Sequence, residues 1–162
     1  MKKLLLIMLA ACFALGARAQ VRSVGLTVGP YEAVSFQHMV YGTDNVFQLD
    51  LGFHTGVPAS GSIRMMASYN INLLSPKWTD EGTWNFYAGP GVYLGGGWAP
   101  GKGLTLGVMA IVGLEYIFDD LPLQLSADMR PALGAVLLKD VSVFDKDSLL
   151  GLIPTVSARY MF

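Results

Sequence analysis

Charge, cysteine and long apolar runs are all scarce in this chain of 162 residues. Charged residues make up 14% of it, whereas soluble domains average roughly a quarter. The hydrophobic fraction is nevertheless 52%, which is too high for an intrinsically disordered chain. Beyond residue 20 no apolar run approaches the ~18 residues that a membrane-spanning helix needs, which argues against a helical membrane protein. The apolar residues therefore require another kind of fold.

The N-terminal segment has the features of a secretory signal peptide. Lys2 and Lys3 precede an apolar stretch that ends in Ala17-Arg18-Ala19, which has the small-residue form of a signal-peptidase site. We expect cleavage directly after Ala19. The predicted organisation is a signal peptide at 1–19 and one mature domain at 20–162.

A lipoprotein is the alternative interpretation of this segment, with Cys12 after Leu9-Ala10-Ala11 as the lipid-bearing residue. It fits less well, because residues 13–15 continue the apolar stretch where a lipoprotein usually turns polar. Cleavage after Ala19 removes the one cysteine and with it any disulfide, thiolate metal site or cysteine nucleophile. It also leaves eight basic residues against twelve acidic ones, a net charge of −4 with no basic patch for nucleic acid.

From Val21 onward, apolar and polar residues alternate with a period of two, and clusters of Gly, Pro, Asn and Asp interrupt the alternation. This pattern is typical of antiparallel strands joined by turns. It predicts eight strands, at about 22–29, 33–40, 45–54, 62–73, 84–97, 104–118, 121–134 and 153–162.

The residues on the polar strand faces indicate which face is inside. Strand surfaces that face water normally carry lysine and glutamate, yet the lysines beyond residue 19 all lie in predicted turns, at Lys77, Lys102, Lys139 and Lys146. The polar faces hold glycines and uncharged polar residues, together with charges of both signs in equal number, at Asp50, Arg64, Glu115, Asp128, Arg130 and Arg159. Such a balance is expected of a narrow interior in which charges must pair.

We therefore predict an all-β fold, an eight-stranded antiparallel up-and-down transmembrane β-barrel, polar inside and apolar outside. Glycines on the inner face leave room for arginines and tyrosines. Eight strands enclose an interior just wide enough for side chains, so an ion-paired plug is favoured over a conducting path. The even strand number places both termini on the periplasmic side, a short turn at Asp119-Asp120 on that side, and a long external loop at 135–152.

Several segments carry a resemblance to known proteins. Tyr160 and the final Phe162 alternate as in the C-terminal signature by which the barrel-assembly machinery recognises its substrates. Residues 31–38, 84–91, 113–118 and 121–131 resemble a group of small, porin-like outer-membrane β-barrel proteins of Gram-negative bacteria, with Met129 where an aromatic residue is expected. The resemblance implies export to the outer membrane and contact with its lipid and lipopolysaccharide. It implies no activity and no cofactor. We expect a monomer.

Aromatic residues near predicted strand ends fit the girdle that flanks a membrane-spanning band. They are Trp84, Tyr116, Phe118, Tyr160 and Phe162.

One enzymatic alternative remains open. His54 lies near the predicted external end of the third strand, and Ser60 and Ser62 follow in the next loop. Together with Asp50 they could form a rim site of a lipid A-modifying enzyme, although four strand residues separate Asp50 from His54 by roughly 13 Å. No metal-ligand spacing is present. The sequence favours a structural or surface-interaction role, with this enzyme and a secreted soluble barrel that binds a hydrophobic ligand as alternatives.

Overall fold

The structure, a computed structural model, describes residues 22–54, 62–97, 103–137 and 151–162. No helix in these ranges is long and apolar enough to cross a bilayer. The elements of the described ranges are nine β-strands: β1 (Arg22–Val28), β2 (Glu32–Met39), β3 (Val46–His54), β4 (Ser62–Leu74), β5 (Gly82–Gly97), β6 (Leu104–Phe118), β7 (Leu123–Met129), β8 (Ala132–Leu137) and β9 (Thr155–Met161).

The strands form one closed antiparallel sheet. Their order is β5-β4-β3-β2-β1-β9-β7-β6-β8, and β5 also pairs with β6, which closes the sheet into a barrel. Strands β7 and β8 are two parts of one barrel strand, because both pair with β6 in a single unbroken register, Met129 opposite Val112 and Ala132 opposite Met109. The fold is therefore an eight-stranded up-and-down β-barrel, as the sequence predicts.

The predicted seventh strand is interrupted in the structure, and proline is the reason. Pro131 has no N–H to donate to β6, although its carbonyl still accepts from the Ala110 N–H at 2.9 Å. The preceding Arg130 donates its backbone N–H to the Gly151 carbonyl at 2.7 Å. The prediction of one continuous strand over 121–134 was wrong at this point.

The start of that strand also differs from the prediction. The connection after β6 covers residues 119–122 instead of Asp119-Asp120 alone. Pro122 lies in this turn, and the Leu123 N–H bonds to the Leu121 carbonyl at 2.7 Å. The local bond keeps the chain turning until Leu123, where β7 begins. The end of the seventh strand also differs, because β8 continues to Leu137, three residues beyond the predicted end at 134 and into the predicted loop at 135–152. The remaining predicted boundaries fall within two residues of the observed ones.

Burial alternates along the strands as expected of a barrel with a polar interior. On β9, Ser157 and Arg159 are buried, whereas Val156 and Tyr160, which flank this pair, are exposed. The buried polar and charged side chains of the described residues are Ser23, Thr27, Ser35, Gln37, Gln48, Asp50, Arg64, Ser68, Asn70, Glu115, Gln124, Ser126, Asp128, Arg130, Thr155, Ser157 and Arg159.

The interior also contains an apolar layer that the sequence analysis did not predict. Met66, Tyr93 and Met109 form a buried cluster with Ala132 packed against it. Ile111, one inward position further along β6, is completely buried. Apolar side chains therefore occupy part of an otherwise polar interior.

Inward-facing glycines make room for the buried tyrosines, as predicted. A Cβ at Gly113 would lie 2.6 Å from both Cζ and Oη of Tyr87. A Cβ at Gly107 would lie 2.5 Å from Cε1 of Tyr93 and 2.7 Å from the Gly134 Cα. A larger residue at position 113 would therefore collide with the Tyr87 ring, and one at position 107 would collide with the Tyr93 ring.

We predict that Gly107→Ala lowers the free energy of unfolding by about 1–3 kcal/mol, the usual cost of overpacking. The added methyl group meets backbone as well as the Tyr93 ring, so a rotamer change alone does not relieve it. Urea unfolding of the refolded barrel measures the effect. The matched control is Gly96→Ala, whose Cβ would have nothing within 4 Å. Equal stability of the two variants would contradict the close packing of position 107 against the Tyr93 ring and the neighbouring backbone.

Candidate functional site

The barrel has two distinct ends. At the first, which we call the terminal end, the Arg22 N–H donates to the Phe162 carbonyl at 3.1 Å and the Phe162 N–H donates back at 2.8 Å. The turns at 40–45, 75–81 and 119–122 lie at the same end. The opposite end, which we call the loop end, contains the β1–β2 connection. The functional candidates are the buried side chains between these two ends.

An ion-paired triad crosses the middle of the interior. Arg130 contacts Asp50 through Nη1 at 2.7 Å and Asp128 through Nε at 2.5 Å, with a further bond from Nη2 to Asp128 at 3.2 Å. All three side chains are buried. Asp50 lies on β3, which three strands separate from β7 in either direction around the barrel. The Arg130–Asp50 pair therefore joins opposite walls.

Amide side chains extend this network toward the terminal end. Gln48 donates to Asp50 at 2.8 Å, and its own oxygen accepts from both Gln37 and Asn70 at 2.9 Å. Gln124 on β7 donates to Gln37 on β2 at 2.8 Å, a second connection across the interior. Four strands are thus joined through hydrogen-bonded side chains alone.

Glu115 lies at the terminal side of this network. It accepts from Gln124 and, at 3.1 Å, from Asn85. Asn85 in turn accepts from Ser75 at 2.7 Å. The Glu115 carboxylate therefore accepts hydrogen bonds from neutral amide donors. Hydrogen bonds to a charged acceptor of this kind are stronger than those between two neutral groups.

The remaining two predicted charges occupy different surroundings. Arg159 is buried and donates to Ser35 at 3.0 Å and to Ser126 at 2.8 Å. Arg64 lies near the loop end, where its guanidinium carbon is 4.2 Å from the Tyr31 ring centroid and 4.5 Å from that of Tyr93. The six predicted charges are all buried, and three of them, Asp50, Asp128 and Arg130, form the ion-paired triad.

The residues predicted for an enzymatic rim site are only partly described. His54 and Ser62 are register partners at the ends of β3 and β4. Their side chains, and Ser60 as a whole, lie outside the described part of the chain. Asp50 contacts Arg130 and Gln48 in the middle of the barrel. The rim site therefore stays a prediction.

Metal binding finds no support in the described ranges. Within them, no three His, Cys, Asp or Glu residues are grouped so that they could hold a metal ion.

An aromatic cluster covers the outside of the barrel at the terminal end. Trp84 lies 4.6 Å from Tyr116 and 5.6 Å from Trp78, between ring centroids. Trp78 also contacts Phe86 at 5.4 Å, and Tyr116 contacts Phe118 at 4.7 Å. The alternation of the sequence does not place Trp78 in this cluster, because Trp78 lies in the 75–81 turn. Its position two residues beyond Pro76 gives no strand period from which its contacts could be predicted.

The comparisons with known proteins identify no relative. The chain matches no family model, no curated protein and no solved structure. The resemblance to small outer-membrane barrels therefore stays a prediction.

We predict that Arg130→Met lowers the free energy of unfolding by about 3–5 kcal/mol, because it leaves two buried carboxylates without their cation. The triple variant Asp50→Asn, Asp128→Asn and Arg130→Gln removes all three charges together and should recover most of that loss. Urea unfolding of the three proteins measures both effects.

The control for this series is Lys77→Met, which removes an exposed cation from a turn and should stay within about 0.5 kcal/mol of the parent. If Arg130→Met were as harmless as Lys77→Met, the triad would not be a structural element of the interior.

Proposed function

We propose that this chain is an outer-membrane β-barrel protein, exported with a cleavable signal peptide at 1–19, whose role is structural or surface-interacting. The proposal depends most on one observation, the chemistry of the outer surface. Every described strand exposes large apolar side chains, for example Leu26, Val34, Leu51, Ile71, Val92, Val108, Leu125, Leu133 and Val156. Soluble monomers rarely expose contiguous apolar patches above roughly 300–600 Å². A hydrocarbon environment accounts for an apolar surface that surrounds the whole barrel.

The distribution of charge supports the same proposal. Charged residues in the described strands are buried in the interior, except for Arg22 and Glu32 at the first positions of β1 and β2. A charge in the middle of the outer surface would be costly in lipid, whereas in water it would be favourable. Closure of the sheet also provides hydrogen-bond partners for the backbone N–H and C=O groups, because every barrel strand pairs on both sides for at least part of its length. Lipid offers these groups no other partners.

The aromatic cluster at the terminal end supports a position for one membrane boundary. Tryptophan and tyrosine favour the interface, where the ring is in contact with lipid and the polar atom with water. The Trp84 Nε1–H donates to Thr79 at 3.2 Å, and the ring itself contacts Tyr116. In this proposal the cluster marks the periplasmic interface, on the same side as both termini.

The interior favours a role other than general diffusion. The Arg130–Asp50 and Gln124–Gln37 contacts cross the interior at successive levels. An open pore would require both to separate and would leave buried charges unpaired. A second part of the proposal concerns partners. Outer-membrane lipid and lipopolysaccharide would contact the apolar outer wall, and the barrel-assembly machinery would recognise Tyr160 and Phe162. In this proposal the protein acts as a monomer.

We predict that Val112→Arg lowers stability in phospholipid vesicles by about 2–4 kcal/mol, the cost of an arginine near the bilayer midplane. Val112 is exposed near the middle of the long strand β6. In water the same change at an exposed site would stay within about 0.5 kcal/mol. Urea unfolding from vesicles measures the difference.

Tyr41→Arg is the control, because Tyr41 is 86% exposed in the turn between β2 and β3. It should leave the stability unchanged. A protein that stays soluble without detergent, and in which Val112→Arg is as neutral as Tyr41→Arg, would contradict the membrane proposal. That result would favour a secreted soluble barrel.

A further inference from the structure

A small cavity lies inside the terminal end of the barrel, beside Glu115. We call it the amide cavity, because Asn70, Asn72 and Asn85 line it together with Glu115. Its volume, taken as the space open to the centre of a water-sized group, is about 20 Å³. A cavity needs roughly 10–15 Å³ to hold one water. The amide cavity therefore has room for one group of about that size and little more.

Two amide oxygens in the wall of this cavity have no donor. Asn70 is 3% exposed, and its Nδ2 donates to Gln48 at 2.9 Å, which leaves Oδ1 on the side away from Gln48. Asn72 likewise uses its Nδ2 to donate to Ser75 at 2.9 Å. Both Oδ1 atoms are buried and accept no hydrogen bond from the described part of the chain. Buried acceptors ordinarily have a partner, so this pair indicates a ligand that donates.

Glu115 adds negative charge to the same cavity. Its buried carboxylate accepts from the neutral amides of Asn85 and Gln124, while Arg159 donates to two serines. A carboxylate has about four lone-pair sites, so Glu115 can accept from a further donor. Asp44, exposed in the 40–45 turn, also lines the cavity. The charge around the cavity therefore favours a cation.

The donor groups in the wall already have acceptors. The Asn85 Nδ2 donates to Glu115 at 3.1 Å, and the Tyr87 hydroxyl donates to Asp128 at 3.0 Å. The wall thus offers acceptors to a ligand: the Oδ1 atoms of Asn70 and Asn72 and the carboxylate of Glu115.

A primary ammonium group matches this wall in charge and in hydrogen bonding. It carries one positive charge, three N–H donors and no acceptor. Calcium fits less well, because it takes about 6–8 oxygen ligands. The described ranges also contain no group of three His, Cys, Asp or Glu residues that could hold a metal ion.

We propose that the amide cavity binds the primary ammonium group of a small linear aliphatic amine. The three N–H groups donate to Asn70 Oδ1, Asn72 Oδ1 and the Glu115 carboxylate. The carbon chain leaves past Asp44 toward solvent at the terminal end. The site lies on the terminal side of the ion-paired triad, so binding requires no open pore. In the orientation proposed above, the amine enters from the periplasm.

Amide NMR of the barrel, labelled with ¹⁵N-asparagine, tests this proposal with propylammonium as the probe. The protein is held in phosphatidylcholine nanodiscs, because this lipid has no primary ammonium group. Binding should give saturable shifts of the Asn70 and Asn72 side-chain amides. Asn45 is the internal control, because its amide donates to the Tyr69 hydroxyl and does not line the cavity.

Two further probes separate recognition of N–H donors from recognition of charge alone. Propyltrimethylammonium has the same carbon chain and the same charge but no N–H, and it should give no saturable shifts at Asn70 or Asn72. Calcium at the same concentration should not displace propylammonium.

Three variants test the residues that carry the charge. Glu115→Gln should weaken propylammonium binding by about tenfold or more. Asp44→Asn, in an exposed turn where folding is not at stake, should weaken it by roughly twofold to fivefold. Glu81→Gln is the matched control, because it removes an exposed carboxylate at the same end without touching the cavity, and it should leave binding unchanged.

The proposal is overturned if propylammonium gives no saturable shifts at Asn70 and Asn72, which would assign the cavity to water. It is also overturned if the quaternary probe or calcium binds as well, or if neither Glu115→Gln nor Asp44→Asn weakens binding. Unchanged Asn45 signals establish that each variant is folded. A barrel that stays in water and does not enter nanodiscs would contradict the membrane proposal alone, because the same titration can then be done in water.

Discussion

Arg130 reaches from one wall of the barrel to Asp50 on the opposite wall and is held beside Asp128 on its own wall. The burial of charge inside the barrel depends on this bridge. Three charges that would be costly alone in a narrow interior become compatible with it when they pair. Glycines at positions such as Gly113 and Gly107 then allow the Tyr87 and Tyr93 rings to fill the remaining space, and Tyr87 donates to Asp128 at 3.0 Å. With the charges inside, the outer wall is free to be apolar.

The sequence predicts the strands and their faces well, because a period of two assigns each side chain to the inside or the outside. The same period does not predict which inward side chains contact each other across the interior. The Arg130–Asp50 contact joins residues 80 positions apart, and it depends on the register of every strand between them. The buried charges could be predicted as a set, but not which of them would pair. Arg159, for example, contacts two serines.

Two local features escaped the pattern for physical reasons. Alternation continues through Pro131, yet proline lacks the donor that the ladder requires, so the strand is interrupted there. Met66, Met109 and Ile111 occupy inward positions although they are apolar, and a polar-inside rule misses them. The interior thus changes from hydrogen-bonded amides and carboxylates at the terminal side to an apolar cluster of Met66, Tyr93 and Met109 nearer the loop end.

Site-directed spin labelling along β9 tests the polar-inside, apolar-outside arrangement most directly. Single-cysteine variants at positions 155–161, in a background without Cys12, are labelled in phospholipid vesicles. Their collision rates are then measured with oxygen, which enriches in lipid, and with a water-soluble nickel complex. We expect labels at Val156, Ala158 and Tyr160 to collide with oxygen, and labels at Ser157 and Arg159 to be protected from both reagents. Strong nickel-complex collisions at the even-numbered positions would contradict the arrangement, because they would place the apolar wall in water.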